Sequence, residues 1–198
     1  MTTKQVLSLA SMFLGKEELL ECEYFTKQAD YNLTETEEKE LDYLKRCLYL
    51  ITNEISTDYL SIYAEKTVGF SNGEIALSDI DSSIYEIVKI TDVNGKNIRF
   101  KIYDNTIYAN ANKAIIKYTK FAKNVDLDGE CEDFSGRIPD RVLAYGVAME
   151  YSFVSSLFDD ATIWENRYKN ALLVLSNKKQ NIIMPKRRWV WCFILKNF

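Results

Sequence analysis

Ile138-Pro139-Asp140-Arg141-Val142 opens the stretch that decides the fold of this chain, residues 138–189, which closes with Lys186-Arg187-Arg188-Trp189. Pro139 suits the first position of a helix, because its missing N–H has no partner there in any case. Behind it, apolar residues recur at helical gaps of three and four, at Val142, Tyr145, Met149, Phe153 and Leu157. The small residues among them, Ala144, Gly146 and Ala148, allow a neighbouring backbone to come close. The pattern predicts a helix that packs tightly against another element.

A second helix is predicted directly after the first. Asp159 or Asp160 is suited to cap its start, since short polar side chains accept hydrogen bonds from first-turn N–H groups. Its apolar positions keep the same spacing, at Ala161, Trp164, Tyr168, Ala171, Leu172 and Leu175. Two helices joined by so few residues are expected to lie antiparallel as a helical hairpin.

The N-terminal part of the chain also has helical periodicity. Apolar residues at Val6, Leu7, Leu9, Ala10, Phe13 and Leu14 predict a short amphipathic helix that Gly15 ends. Thr34 and Glu37 have the spacing of a capping box at the start of the longest predicted helix. That helix has one apolar stripe, formed by Leu41, Leu44, Leu48, Ile51 and Ile55, and its charged face is interpreted as solvated or as a subunit contact.

From about Phe70 the periodicity changes to that of strands. Residues 71–74 predict a turn, and Tyr85, Ile87, Val88 and Ile90 form a β-rich run. Asn94-Gly95 predicts a type I′ hairpin turn, with Ile98, Phe100 and Ile102 alternating in the strand that follows. We therefore expect an antiparallel sheet of three or four strands inserted between helices, which gives an α+β chain.

Part of this sequence carries a family resemblance. The successions Ile138 to Tyr151, Trp164-Glu165-Asn166-Arg167-Tyr168-Lys169 and Pro185-Lys186-Arg187-Arg188-Trp189 resemble the C-terminal half of head-to-tail adaptor (connector) proteins of tailed bacteriophages. The similarity is to the ring-forming proteins docked beneath the portal in short-tailed phages, and it covers about the last third of the chain.

The resemblance implies a structural virion protein at the head-tail junction, made in the host cytoplasm. It implies a ring homo-oligomer, twelvefold as in that family, whose partners are the portal protein and a tail or tail-nozzle protein. Genomic DNA would pass through the ring lumen without specific binding. Adaptors of this kind grip the portal with C-terminal segments, so the resemblance assigns that role to the C-terminal tail here.

Four parts of the chain are predicted. Residues 1–66 supply the N-terminal helices of a helical body, and residues 67–125 form the inserted β lobe. Residues 126–178 contain an acidic linker and the helical hairpin, and residues 179–198 form a basic, aromatic C-terminal tail. The acidic linker, 126–133, lacks the ligand spacing of a calcium loop and is interpreted as solvated, or as facing a basic patch of an adjacent subunit.

The tail is the predicted partner-binding site. Residues 166–198 contain eight Lys or Arg and no Asp or Glu, whereas the preceding residues have 17 basic and 29 acidic side chains, a net charge of −12. The residues assigned to the portal contact are Lys186, Arg187, Arg188, Trp189, Val190, Trp191, Phe193 and Ile194. Three uses stay open: packing on its own domain as a closing strand, reaching a neighbouring molecule, or binding nucleic acid through phosphate contacts and stacking.

Catalysis is not expected. The chain has no histidine, which excludes Ser-His and Cys-His nucleophile activation and His-containing zinc sites. It has no phosphate-binding loop or dinucleotide fingerprint, so no cofactor is predicted, and no metal site is predicted either. Four scattered cysteines indicate reduced thiols, and no apolar run is long enough to span a membrane.

Overall fold

The computed structural model of the protein describes residues 2–21, 25, 34–126, 129–132 and 134–180. Its helices are α1 (Thr3–Phe13), α2 (Glu17–Glu21), α3 (Glu35–Glu54), α4 (Leu77–Ile80), α5 (Asp140–Val154) and α6 (Phe158–Gln180). Its strands are β1 (Ile62–Gly69), β2 (Glu74–Ala76), β3 (Ile84–Thr91), β4 (Phe100–Tyr103), β5 (Thr106–Ala109) and β6 (Lys113–Lys120). The predicted α+β class, with antiparallel sheets inserted between helices, is confirmed.

Helix α3 forms as its sequence predicts. The Glu37 N–H donates to the Thr34 hydroxyl at 3.3 Å and the Thr34 N–H donates to the Glu37 carboxylate at 2.7 Å, which completes the capping box. The predicted apolar stripe is fully buried, at Leu41, Leu44, Leu48, Ile51 and Ile55. A π-helical turn, Ile55–Tyr59, then leads from α3 into β1. Local capping and periodicity thus suffice to define this element.

The helical hairpin is present, with corrections at its ends. Pro139 is the N-cap residue of α5 rather than its first helical residue, and Asp159 and Asp160 lie in the first turn of α6 rather than at its cap. Carboxylates there still face the positive end of the helix dipole. The rings of Tyr145 and Trp164 lie 5.8 Å apart across the two helices. Ala161, Tyr168 and Leu172 are buried at the predicted positions of α6.

Helix α5 is the centre of the helical body, since α1, α3 and α6 all pack against it. The predicted close approach occurs at Gly146. A Cβ atom at Gly146 would lie 2.8 Å from Cγ2 of Ile51, so α3 touches the α5 backbone there. Ala144 and Ala148 are also fully buried.

The lobe is larger than predicted. It contains two three-stranded antiparallel sheets, ordered β1-β6-β3 and β2-β5-β4, rather than one sheet of three or four strands. Their inner faces enclose a core separate from that of the helices, formed by Val68, Ile80, Ile90, Ile107, Ala114, Ile116 and Tyr118. The predicted boundary at residue 67 falls inside β1, which begins five residues earlier at Ile62. Most residues of β1 are exposed, so the strand lacks the apolar alternation that would have marked its start.

The predicted type I′ turn at Asn94-Gly95 is wrong. Gly95 has a positive φ of 82°, but Asn94 does not. The Asp92 carboxylate accepts hydrogen bonds from the N–H groups of Asn94 and Lys96, both at 2.8 Å. The chain reverses here in a longer hairpin loop, in which Thr91 pairs with Asn97 and the Ile98 N–H donates to the Ile90 carbonyl at 2.9 Å. A two-residue turn with both φ values positive occurs instead at Asp104-Asn105, between β4 and β5. Strand β4 pairs with β5, and the residues just before it, Asn97 and Ile98, pair with the β-rich run.

Candidate assembly surfaces

The residues predicted to bind the portal are not among those that the structure describes. They are Lys186, Arg187, Arg188, Trp189, Val190, Trp191, Phe193 and Ile194, and their role stays a prediction. Helix α6 continues to Gln180 and so includes the first two residues of the predicted tail, and its 23 residues span about 34 Å. The tail therefore follows from the end of α6 that is remote from the α5–α6 turn.

The α5–α6 turn is a helix C-cap built on a serine. The Leu157 N–H donates to the Ser152 carbonyl at 2.8 Å, and the Ser156 N–H donates to the Phe153 carbonyl at 3.1 Å. Ser156 has a φ of 61°, in the left-handed region where glycine is the usual residue. This bonding pattern, a Schellman motif, ends α5 and reverses the chain within three residues.

The turn leaves four large apolar side chains in solvent. Val154 and Phe158 are 61% and 63% exposed, and Phe153 and Leu157 are 40% and 48% exposed. We call these four residues the hairpin-tip patch. Phe153 and Leu157 keep the helical spacing of the sequence, but α5 ends at Val154, so Leu157 lies past the helix and Phe153 lies in its last turn, with both side chains exposed. Several large apolar side chains exposed so close together in the chain are typical of a protein contact surface.

Helix α3 presents a second apolar surface. Tyr43 and Leu50 are exposed and lie two helical turns apart, so they share one side of the helix, and Tyr49 is exposed beside them. Arg46 pairs with Asp42 at 2.7 Å on the same outward surface. We call Tyr43, Tyr49 and Leu50 the α3 face. The charged side of this helix therefore also carries exposed aromatic and aliphatic groups.

Stacked aromatic rings hold the helices that carry the hairpin-tip patch. The Phe13 ring of α1 lies 5.1 Å from the Tyr145 ring of α5 and 5.2 Å from the Trp164 ring of α6. Offset aromatic stacking of this kind adds about 0.5–1.5 kcal/mol per pair beyond area burial. The three helices therefore present the patch on a firmly packed support.

Part of the predicted acidic linker is bound to the start of α1. The Thr3 N–H donates to the Gly129 carbonyl at 3.2 Å, and Thr2 and Glu130 form an antiparallel bridge. The Cys131 thiol contacts the Thr3 hydroxyl at 3.6 Å. Residues 127, 128 and 133 lie outside the described ranges. The described part of this segment is therefore an anchored connection and not a freely solvated one.

A polar cluster that sequence reasoning missed lies between α3, α5 and α6. The Tyr168 hydroxyl donates to the Glu54 carboxylate at 3.4 Å, and half-buried Glu150 has no hydrogen bond or ion pair with another described residue. Burial is the largest cause that raises the pKa of both Glu54 and Glu150, and burial raises the pKa of the nearby Cys47 thiol to about 12. These positions carry no local motif, since the three elements meet only in the folded chain. A protonated thiol is a poor nucleophile, so the cluster lacks an activated one.

We expect Glu150→Gln to raise the melting temperature at pH 7.5. Burial raises the folded-state pKa of Glu150, so the folded protein favours the neutral acid, and this contribution to stability is lost as pH rises through that pKa. A glutamine is neutral at every pH, and the advantage of the variant should therefore shrink as pH falls towards about 4, where the wild-type carboxyl is protonated. Thermal melts across this pH range measure the effect.

Glu165→Gln is the matched control for that experiment. Glu165 lies on α6 and accepts a hydrogen bond from the Lys169 ammonium, so its removal should leave stability unchanged or slightly lower at neutral pH. A Glu150→Gln variant that melts below wild type at pH 7.5 would show that the Glu150 charge is stabilised by its surroundings.

The part of the chain that the structure describes offers no metal-binding or membrane-spanning feature. Among the described residues, His, Cys, Asp and Glu nowhere form a group of three or more that could hold a metal ion. No helix in the described ranges combines the length and the apolar character needed to cross a membrane. Comparison with known proteins finds no family model that matches the chain and no curated protein with a matching sequence.

Proposed function

We propose that this protein is a structural head-to-tail adaptor of a tailed bacteriophage, which forms a ring of about twelve copies between portal and tail. The hairpin-tip patch carries the proposal. It places four apolar side chains at one end of the helical hairpin, between two of the pieces whose sequence resembles the adaptors. Apolar groups so exposed on a helical body favour burial against another protein chain over permanent contact with water.

Ring closure needs two unlike surfaces of one subunit that fit each other. The hairpin-tip patch and the α3 face are two unlike apolar surfaces, since one lies at a helix–helix turn and the other along the side of a helix. A head-to-tail contact between unlike surfaces repeats around an axis and closes when the rotation per subunit divides a full turn. We therefore assign the contact between neighbouring subunits to these two surfaces.

The portal contact is assigned to the tail. Residues 181–198 reach about 60 Å when fully extended, which is ample for contact with a neighbouring protein. Trp189, Trp191 and Phe193 are aromatic anchors of the kind that dominate protein interfaces. Lys186, Arg187 and Arg188 provide charge that steers the tail towards an acidic surface. The protein then acts by joining two larger assemblies and performs no chemistry.

Point substitutions in the tail test this assignment against nucleic-acid binding, its main alternative. If the tail grips a portal protein, Trp189→Ala together with Trp191→Ala should weaken binding about thirtyfold or more, because buried aromatic anchors commonly contribute 2 kcal/mol or more. Changing Lys186, Arg187 and Arg188 to glutamine should weaken it less. Titration of a co-expressed candidate portal protein with each variant measures both effects.

The order reverses if the tail binds nucleic acid. The triple cation change would then remove most of the affinity for DNA and flatten its salt dependence, while the tryptophan changes would matter less. Tight, salt-sensitive DNA binding that follows this reversed order would overturn the adaptor role of the tail.

A further inference from the structure

The outer face of the β2-β5-β4 sheet combines cations with exposed tyrosines. In the strand register, Lys101 of β4 lies opposite Tyr108 of β5, and Tyr103 lies opposite Thr106. Ile107 and Ala109 are buried in the lobe core, and strand side chains alternate, so Tyr108 points away from that core. Tyr103 and Tyr108 are both exposed, with ring centroids 6.1 Å apart and ring planes tilted by 56°.

A groove of about 790 Å³ runs beside Tyr108. Its lining residues are Asn72, Gly73, Ile98, Arg99, Phe100, Lys101, Tyr108, Ala109 and Asn110, among which there is no carboxylate. Arg99 and Lys101 are exposed, and neither forms an ion pair or a hydrogen bond with another described residue. Two uncompensated cations beside an exposed aromatic ring make this groove suited to an anionic ligand with flat rings.

The lobe has a slightly positive net charge and the helical body a negative one, so an anionic ligand is favoured at the lobe. Residues 62–121 contain eight Lys or Arg and seven Asp or Glu, a net charge of +1. Residues 1–61 and 122–180 together contain 13 basic and 22 acidic side chains, a net charge of −9. A polyanion is therefore repelled by the body and directed to the lobe or to the tail.

We propose that this groove binds single-stranded nucleic acid. Arg99 and Lys101 contact successive phosphates, and the exposed faces of Tyr108 and Tyr103 stack on unpaired bases, which is how single strands are held without strong sequence preference. The side-chain amides of Asn72 and Asn110 are placed to donate to base or sugar oxygens. Glu74 of β2 also lies opposite Tyr108, on the side of β5 away from Lys101. Because its carboxylate repels phosphates, the phosphates run along β4 and not along β2. This site is separate from the tail and does not depend on the ring.

Fluorescence anisotropy with a labelled oligothymidine of about 15 nucleotides tests the proposal on the full chain at low salt. Arg99→Gln with Lys101→Gln should weaken binding at least about tenfold and reduce the slope of log affinity against log salt by about 1.4, since each single-strand phosphate contact contributes about 0.7. Tyr108→Ala should weaken binding about fivefold or more through the loss of one stacked base. Tyr108→Trp keeps a stacking ring and should retain the affinity.

The lobe offers a matched control. Lys113 and Lys117 are exposed on β6, and the Lys117 ammonium lies 5.6 Å from the Tyr63 ring centroid, so Lys113→Gln with Lys117→Gln removes the same charge next to another exposed tyrosine. We expect this pair to change affinity less than twofold. Each variant is measured in two backgrounds, one with the wild-type tail and one with Lys186, Arg187 and Arg188 changed to glutamine. Binding by the tail is thereby measured separately.

Several outcomes would overturn the proposal. These are the absence of oligothymidine binding, equal losses from the groove pair and the control pair, and a loss of all binding when the tail cations alone are changed. Equal affinity for duplex DNA would exclude base stacking. Equal competition by polyglutamate would show that the groove recognises an acidic protein surface.

Discussion

Gly146→Leu is expected to lower the free energy of unfolding by about 3 kcal/mol, at the upper end of the usual range for overpacking. The first added carbon would already lie 2.8 Å from Cγ2, 2.9 Å from Cδ1 and 3.0 Å from Cγ1 of Ile51. Ile51 is fully buried and branched at Cβ, so its side chain cannot rotate away. Leucine also has a better helix propensity than glycine, and a loss of stability must therefore come from packing.

Thermal denaturation measures this effect. A loss of 3 kcal/mol corresponds to a fall of roughly 6–12 °C in the melting temperature for a chain of this size. Ile51→Ala removes all three contacting atoms and by itself costs about 2–5 kcal/mol through the cavity. The double variant Gly146→Leu/Ile51→Ala should lose less than the sum of the two single variants, because the leucine fills the space that isoleucine leaves. Strict additivity, or an unchanged melting temperature for Gly146→Leu, would rule out the close α3–α5 contact.

Phe158→Ser is expected to abolish ring assembly while leaving the monomer folded. Phe158 is the most exposed member of the hairpin-tip patch, so its removal costs the isolated fold little, and serine is well tolerated at a helix start. In a ring it would be buried against the α3 face of the next subunit. Truncation of an aromatic anchor costs about 2 kcal/mol or more per contact. The loss recurs at each contact around the ring, so its effect on the closed assembly accumulates.

Val93→Ser is the control for this substitution. Val93 is 61% exposed, as is Val154 of the hairpin-tip patch, but it lies in the loop between β3 and β4 of the lobe, outside the helical body. Its replacement should leave assembly intact. Size-exclusion chromatography with light scattering compares the two variants. If Phe158→Ser forms rings of undiminished stability, the subunit contact does not involve the hairpin-tip patch.

Sequence reasoning succeeded where neighbouring residues decide the structure. The Thr34–Glu37 capping box and the stripe from Leu41 to Ile55 depend on contacts within one or two turns of a single helix, and both are present. The contact at Gly146 was predictable in kind, as a close approach at small residues. Its partner, Ile51, was not, because the pairing of α3 with α5 crosses almost a hundred residues of chain.

The wrong predictions also have identifiable physical causes. Near Asn94-Gly95 the Asp92 carboxylate accepts hydrogen bonds from two backbone N–H groups, and these bonds outweigh the turn preference of the dipeptide. Phe153 and Leu157 keep helical spacing, but spacing does not reveal where a helix leaves the core. The groove beside Tyr108 and the Glu54–Glu150 cluster each combine residues from separate elements, so no sequence window contains them. The tail residues are the reverse case: sequence alone supports their role, which stays a prediction.

Native mass spectrometry of the full-length chain, mixed with a candidate portal protein ring, tests the central claim most directly. We predict one dominant complex in which the portal ring carries about twelve copies of this chain, with few intermediate stoichiometries, because a closed ring gains its last contact only on completion. Phe158→Ser and the Trp189→Ala/Trp191→Ala variant should each prevent that complex, the first by loss of subunit contacts and the second by loss of portal contacts. A chain that stays monomeric or dimeric while the portal ring is detected alone would contradict the adaptor function.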